Sequence, residues 1–226
     1  MEHVLDNPAY NALNTGNANL ANGTDRVKYF DSEVSPFIGF DDNFPANFEK
    51  LYELIPYERP VGFVSPIEAE IPKQWQVIYQ VPCFQMVHSG DPNHVDESNL
   101  IVLTDRHIPQ MVALTKLTNP GPFSERTIDF GHYRGIFDGD KLVAMAGQRM
   151  NPLPYAEVSA VCTHPDYAGK GYAKQLLQWQ VNRIIAEGNT PFLHVKCDNE
   201  RPIKIYEQMG FAIRCKMYFY ILKKNS

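Results

Sequence analysis

Long apolar runs are missing from this 226-residue chain, and no stretch reaches the roughly 18 apolar residues that a membrane-spanning helix needs. Cysteine is scarce. The four residues Cys83, Cys162, Cys197 and Cys215 stand apart without a Cys-x-x-Cys pair, which argues against zinc and a disulfide framework and favours buried reduced thiols. Basic blocks are absent as well: 21 Lys and Arg against 26 Asp and Glu leave a net charge of −5, whereas a surface that tracks nucleic acid needs clustered cations. The opening residues Met1-Glu2-His3 carry neither the basic nor the apolar region of a secretory leader, so a cytoplasmic location is expected. What the chain has in quantity is apolar surface. At 44% hydrophobic residues it can bury one large core or two smaller ones.

The most informative stretch runs from Glu157 to Tyr172. An apolar segment rich in β-branched residues ends at His164-Pro165, and Tyr167-Ala168-Gly169-Lys170-Gly171-Tyr172 then opens into a long amphipathic pattern, which reads as strand, tight turn and helix. Without Cβ atoms at Gly169 and Gly171, the amides of the turn can approach a ligand closely. The helix behind them aims unpaired N–H groups and the positive end of its dipole the same way, and such a turn suits phosphate. A Walker-type loop is excluded because Lys170 is followed by Gly171 instead of Ser or Thr. A dinucleotide fingerprint is disfavoured because its third glycine is missing.

A second constellation is Asn199-Glu200-Arg201-Pro202-Ile203-Lys204-Ile205-Tyr206-Glu207-Gln208-Met209-Gly210-Phe211. Together with the glycine turn it resembles the GNAT superfamily of acyl-coenzyme A dependent N-acyltransferases, matching that family's late motif at Asn199, Ile203, Tyr206, Glu207, Gly210 and Phe211. The resemblance implies an α/β fold with a mixed sheet whose central parallel strands splay apart, acetyl-CoA as the donor, and no metal. It implies that the main chain of Val161, Cys162 and Thr163 pairs with the pantetheine arm. The amides of Ala168, Gly169, Lys170, Gly171, Tyr172, Ala173 and Lys174 would hold the pyrophosphate, and Asn199 would cap its helix or bond the arm. Tyr206 would supply a proton to the departing thiolate, the alternative being a core aromatic. One position departs from the family: Ala168 stands where Arg or Gln is usual, which puts cofactor affinity in question and leaves Lys170 and Lys174 to supply charge.

The rest of the chain divides at a polar stretch, His88 to Ser98, into residues 1–95 and 96–226. In the first part, Asp6-Asn7-Pro8 signals a helix start, Val27–Phe30 and Pro36–Phe40 read as extended, and Asn43-Phe44-Pro45 resets the chain. A helix carrying Phe48, Leu51 and Leu54 then ends at Pro56, Val61–Val64 is a short strand, and Trp75–Val81 leads to a strand interrupted or edged at Pro82. This grammar repeats that of the second part without the glycine turn. It is similar to the degenerate N-terminal half found in the glycine N-acyltransferase-like branch of the family; a plain covering subdomain that shapes the acceptor pocket is the other reading. In the second part, Asp105–Leu117 reads as a helix, Asp138-Gly139-Asp140 as a hairpin turn, and Tyr155–Thr163 as the central strand.

Amide formation also asks for a neutral amine. Glu157, Ser159 and Val161 alternate along one strand and are expected on one face, where Glu157 either takes the amine proton or is a solvated end-of-strand carboxylate. His132 and His194 read as ordinary hydrogen-bonded histidines, and His164 as a turn residue. Phe123, Arg126, Tyr133, Tyr79 and Phe84 are candidates for lining the acceptor site. The expected activity is direct acetyl transfer to a primary amine of a small molecule, amino acid or peptide, by a monomer or homodimer without nucleic acid or membrane partners. A catalytically silent CoA-binding regulatory module is the alternative.

Overall fold

The computed structural model describes residues 3–42, 45–55 and 59–225. A 3-10 turn at Val4–Asp6 leads into α1 (Pro8–Asn14), followed by β1 (Ala21–Gly23), β2 (Val27–Phe30), β3 (Phe37–Phe40), α2 (Pro45–Leu54), β4 (Val61–Ser65) and β5 (Trp75–His88). Then come β6 (Ile101–Val102), α3 (Ile108–Thr118), β7 (Arg134–Asp138), β8 (Lys141–Gln148), β9 (Tyr155–Thr163), α4 (Tyr172–Ala186), β10 (Thr190–Lys196), α5 (Glu200–Gln208) and β11 (Phe211–Lys224). The expected elements are present within a residue or two. The signals expected at Asn43, Phe44 and Pro56, and the opening Met1 and Glu2, lie outside the described residues. Among the described residues no helix is long and apolar enough to cross a membrane.

All strands join one mixed sheet in the order β1-β2-β3-β4-β11-β5-β10-β9-β8-β7-β6. One pairing pattern occurs twice, with β6 added at one edge. β1, β2 and β3 are successively antiparallel and β3 is parallel to β4 across α2; β7, β8 and β9 are successively antiparallel and β9 is parallel to β10 across α4. The last strand of each part is exchanged: β5 pairs with β10, and β11 pairs with β4, while β5 and β11 run antiparallel to each other in the middle. The sheet therefore crosses the boundary drawn at residue 95 without a break.

Two positions show why the segments take their places. β5 is not interrupted at Pro82 but becomes an edge there. Its ladder with β10 ends at Lys196↔Cys83, and the Pro82 carbonyl accepts from the Cys197 amide beyond the end of β10, 3.0 Å away. The missing N–H thus faces the side where the neighbouring strand has stopped. At Gly39 on β3, a Cβ would lie 2.4 Å from the main-chain nitrogen of Tyr10, so this glycine lets α1 lie close on the sheet. On the other side Leu177, Val181 and Ile184 of α4 are buried against Ala156, Val158 and Leu193. Each such side chain contributes about 1.5–3 kcal/mol.

Candidate active site

The glycine turn is built as the spacing suggests. After β9 a 3-10 turn at Pro165–Tyr167 leads to Gly169 and Gly171, both at φ 82°, with Gly171 as the N-cap of α4. Nothing lies within 4 Å of where their Cβ atoms would be, so glycine is required by the left-handed backbone and not by crowding. Ala168, Gly169, Lys170, Gly171 and Lys174 are exposed, while Tyr172 and Ala173 are partly buried. No acidic residue occupies the first turn of α4, leaving its dipole end uncompensated. Lys170 Nζ sits 4.7 Å from the centre of the Tyr167 ring, and the Tyr167 hydroxyl donates to Asp138 at 2.5 Å, which ties the turn to the β7–β8 hairpin. Gly171→Ala is expected to weaken acetyl-CoA binding about tenfold, because a side chain held at positive φ costs about 1–2 kcal/mol. Isothermal calorimetry measures this, and an unchanged Kd would mean that the turn does not hold the ligand.

β9 and β10 separate as the splay requires. They pair at Tyr155↔Thr190, Ala156↔Pro191 and Glu157↔Phe192, and there the ladder stops. Beyond this point β10 follows β5 and β9 follows β8, so Val158 to Thr163 have no partner in β10. Thr163 Oγ1 is buried and, among the described residues, has no hydrogen-bond partner. An open main-chain edge with a waiting hydroxyl, below a turn that presents amides, fits the amide-bearing arm and pyrophosphate of coenzyme A.

One expectation about β9 is corrected. Ala160 has φ 52°, and the ladder to β8 slips between Cys162↔Met145 and Ser159↔Gly147, so a β-bulge inserts a residue. The bulge reverses the alternation. Val161 packs toward α4 with Leu177, whereas Ala160 and Cys162 join the opposite cluster containing Met111 and Tyr133. Glu157 and Val161 therefore do not share a face.

On the α4 side, Tyr206 of α5 is partly buried in the same cluster as Val161, with its ring 6.1 Å from Phe211. Its hydroxyl has no hydrogen-bond partner among the described residues, and burial pushes its pKa up to about 12. Asn199 is at the N-cap position of α5 but makes no side-chain capping bond; its carbonyl accepts from the Ile203 amide at 3.3 Å. The capping role expected for its side chain is not made, and the exposed amide remains free for a ligand. A cavity of about 540 Å³ lies between Gly171, Lys174 and Gln178 of α4, Gln208 and Met209, and the Asn93–Asp96 segment.

On the opposite face a much smaller cavity of about 10 Å³, room for about one oxygen-sized atom, is lined by Pro120–Phe123, Thr127, Tyr133, Arg149, Ser159 and Ala160. Of the residues expected to line the acceptor site, Phe123 and Tyr133 border this cavity. Arg126 instead forms ion pairs with Asp129 and Asp31, Phe84 packs on the α4 side, and Tyr79 is exposed on the free edge of β5.

Glu157 is fully buried, not a solvated carboxylate. Its Oε2 accepts from Arg149 Nε at 2.9 Å and the Met150 amide at 3.2 Å. Its Oε1 accepts from Arg149 Nη2 at 2.5 Å and His194 Nδ1 at 2.7 Å. Burial alone would raise its pKa, but the charge and hydrogen bonds of Arg149, with the bond from His194, outweigh that and hold it at about 2. All four lone-pair sites are taken. Arg149, which the sequence does not mark, comes into place only because β8 and β9 pair. His132 and His194 are hydrogen-bonded, to Arg183 and to Glu157, and His164 accepts from the Asp166 amide in the turn. Among the described residues no cluster of His, Cys, Asp and Glu is suited to a metal.

Comparison with known proteins agrees with this geometry. The family described as FR47-like protein matches residues 133–220. The N-alpha-acetyltransferase RimI of Mycobacterium tuberculosis is 33% identical over 84 residues, which is 35% of this chain and 51% of that protein, so the match spans about half of the curated relative. A GCN5-related N-acetyltransferase from Kribbella flavida shares the fold, with a TM-score of 0.62 over 96% of each chain at 12% identity. A crystal structure assigned to the GNAT family, from Novosphingobium aromaticivorans DSM 12444, superposes with a TM-score of 0.92 and 31% identity over 100% of both chains. With likeness along its full length, a glycine turn at a helix N-terminus and an opened parallel strand pair, the chain belongs to the GNAT family of acetyltransferases.

Proposed function

We propose that the protein transfers an acetyl group from acetyl-CoA to the primary amine of a small molecule, amino acid or peptide, directly within a ternary complex. The observation that carries this reading is the open edge of β9 beneath the turn at Gly169 and Gly171, beside the cavity of about 540 Å³ at the start of α4. Acetyl-CoA supplies the activated thioester. The main chain of Val161, Cys162 and Thr163 binds the arm, the amides from Ala168 through Ala173 to Lys174 hold the pyrophosphate, and Lys170, Lys174 and the free amide of Asn199 add polar contacts. Ala168 contributes main chain only. Tyr206 keeps its proton throughout the neutral range and holds it for the departing thiol.

The role of Glu157 is narrower than proton acceptance. A carboxylate with four hydrogen bonds and a pKa of about 2 is a poor base for an amine, and its part is to anchor Arg149 in the acceptor cavity. The pH dependence then belongs to the acceptor. For an α-amine, kcat/KM is expected to rise until the amine deprotonates near pH 8, about its ordinary pKa, with no further limb from about pH 4 to 6. A limb in that lower range would restore Glu157 as the proton acceptor.

The repeated pairing pattern of residues 1–95 supports a degenerate GNAT-like half of the kind seen in the glycine N-acyltransferase-like branch, acting to shape the acceptor side. The similarity to an N-alpha-acetyltransferase over part of the chain favours α-amines as acceptors. Calorimetry with acetyl-CoA, followed by thiol release against a panel of amines, tests the reading. Binding without turnover on any amine would leave a silent CoA-binding module instead.

A further inference from the structure

A line of partly buried hydrogen bonds leads from the N-terminal segment to the small cavity. Arg214 of β11 donates from Nη2 to Asp6 at 2.5 Å and from Nε to Gln85 Oε1 at 2.5 Å. Gln85 of β5, fully buried, therefore has its amide nitrogen on the other side, where it donates to the Leu5 carbonyl at 2.9 Å and meets His194 Nε2 at 3.0 Å. Since that ring nitrogen must accept, the proton is on Nδ1, which donates to Glu157. Arginine can only donate and an ionised carboxylate can only accept, so the line admits one arrangement. Every step is fixed by its ends.

Its outcome is the pose of Arg149. Two of its nitrogens are spent on Glu157, and its guanidinium carbon lies 4.8 Å from the centre of the Phe37 ring. Nη1 has no partner among the described residues, and 13% of the side chain stays exposed where it lines the small cavity. Ser159, which lines the same cavity, also has a hydroxyl with no hydrogen-bond partner among the described residues. Two side chains able to donate thus line one cavity beside the bulge at Ala160. Because Glu157 already neutralises the arginine, a neutral oxygen matches the site better than a second carboxylate, which would leave a net negative charge in a buried place.

We propose that Arg149 and Ser159 form a subsite for a carbonyl oxygen next to the acceptor's amine, and that Gln85 and His194 are the positioning residues that aim it. The substrate class is then α-amino amides, including peptide N-termini, in preference to free amino acids and simple alkylamines. This rests on the acetyl-transfer reading.

The test compares alaninamide, alanine and propylamine by kcat/KM referred to the unprotonated amine, since their ordinary pKa values differ, with the KM for acetyl-CoA as an internal reference. Alaninamide is expected to exceed propylamine by about tenfold or more, the size of a hydrogen bond to a charged group. Ser159→Ala should cut that ratio several-fold, and His194→Leu about tenfold through the acceptor's KM. His194→Asn, whose amide can donate from near the position of Nδ1, should recover most of it, a rescue that a merely structural role would not give. An absent preference in the unmodified protein, or one untouched by both Ser159→Ala and His194→Leu, overturns the proposal. If acetyl-CoA binds but no amine is turned over, the acetyl-transfer reading fails on its own. NMR titration of alaninamide and propylamine into the unmodified and Ser159→Ala proteins then decides the subsite, and equal binding of the two amines overturns it.

Discussion

Glu157→Gln is expected to lower the melting temperature by about 10 °C. Removing one partner of a buried ion pair costs about 3–5 kcal/mol, and at this chain length each kcal/mol moves Tm by about 2–4 °C. The reason is local. Three donors, Arg149 Nε, Arg149 Nη2 and the Met150 amide, together with His194 Nδ1–H, converge on the carboxylate, and an amide nitrogen in place of either oxygen meets donors with a donor. The arginine is also left as an unmatched charge at a site where Glu157 has no exposure to water. Replacing both partners with apolar residues, Arg149→Met with Glu157→Leu, should restore a large share of the loss, because no buried charge then remains. Acid gives a second check. A carboxylate held at about 2 in the fold contributes stability that is present above its ordinary pKa and lost as pH falls through about 2, so the gap between the two proteins should narrow from about pH 5 downward. Thermal melts of Glu157→Gln within about 2 °C of the unmodified protein at pH 7 would refute this account of the pair.

Tyr206→Phe is expected to lower kcat about a hundredfold, the lower range for loss of a positioned general acid, with the Kd for acetyl-CoA little changed. Stability separates this role from that of a core aromatic. The hydroxyl has no partner among the described residues and the side chain is only partly buried, so its removal breaks no bond within the fold and should leave Tm about level. Steady-state kinetics, calorimetry and a melt on the same sample give all three readings. A full kcat removes the catalytic role, and a collapsed melt would make Tyr206 a packing residue.

Local pattern carried a good deal of this. β9, the glycine turn and α4 were legible because a β-branched run, two glycines and a 3.6-residue apolar period each leave a mark within a few residues. The bulge at Ala160 is not, since alanine at φ 52° has no side-chain signature, and strict alternation therefore puts Val161 on the wrong face. Arg149, Gln85 and Arg214 were missed for a different reason. They lie just after β8, on β5 and on β11, and their meeting with His194 and Glu157 depends on strand order, which no local period encodes. The long β11 was likewise unassigned, and with it the exchange that places β5 beside β10. Asn199 shows the limit from the other side: its position was readable, but not whether its side chain would cap.

The exchange of final strands has a bearing on how the protein can be divided. A piece starting at residue 96 retains β10 and β11 but lacks the strand that bridges them, and the complementary piece retains β4 and β5 with a gap between. Each fragment would carry an unsealed seam of main-chain donors and acceptors through its own middle, with Gln85, the neighbour of His194, on the far side of the cut. The glycine turn and its helix are therefore no portable cassette: whatever lineage or laboratory inherits one portion must inherit the other.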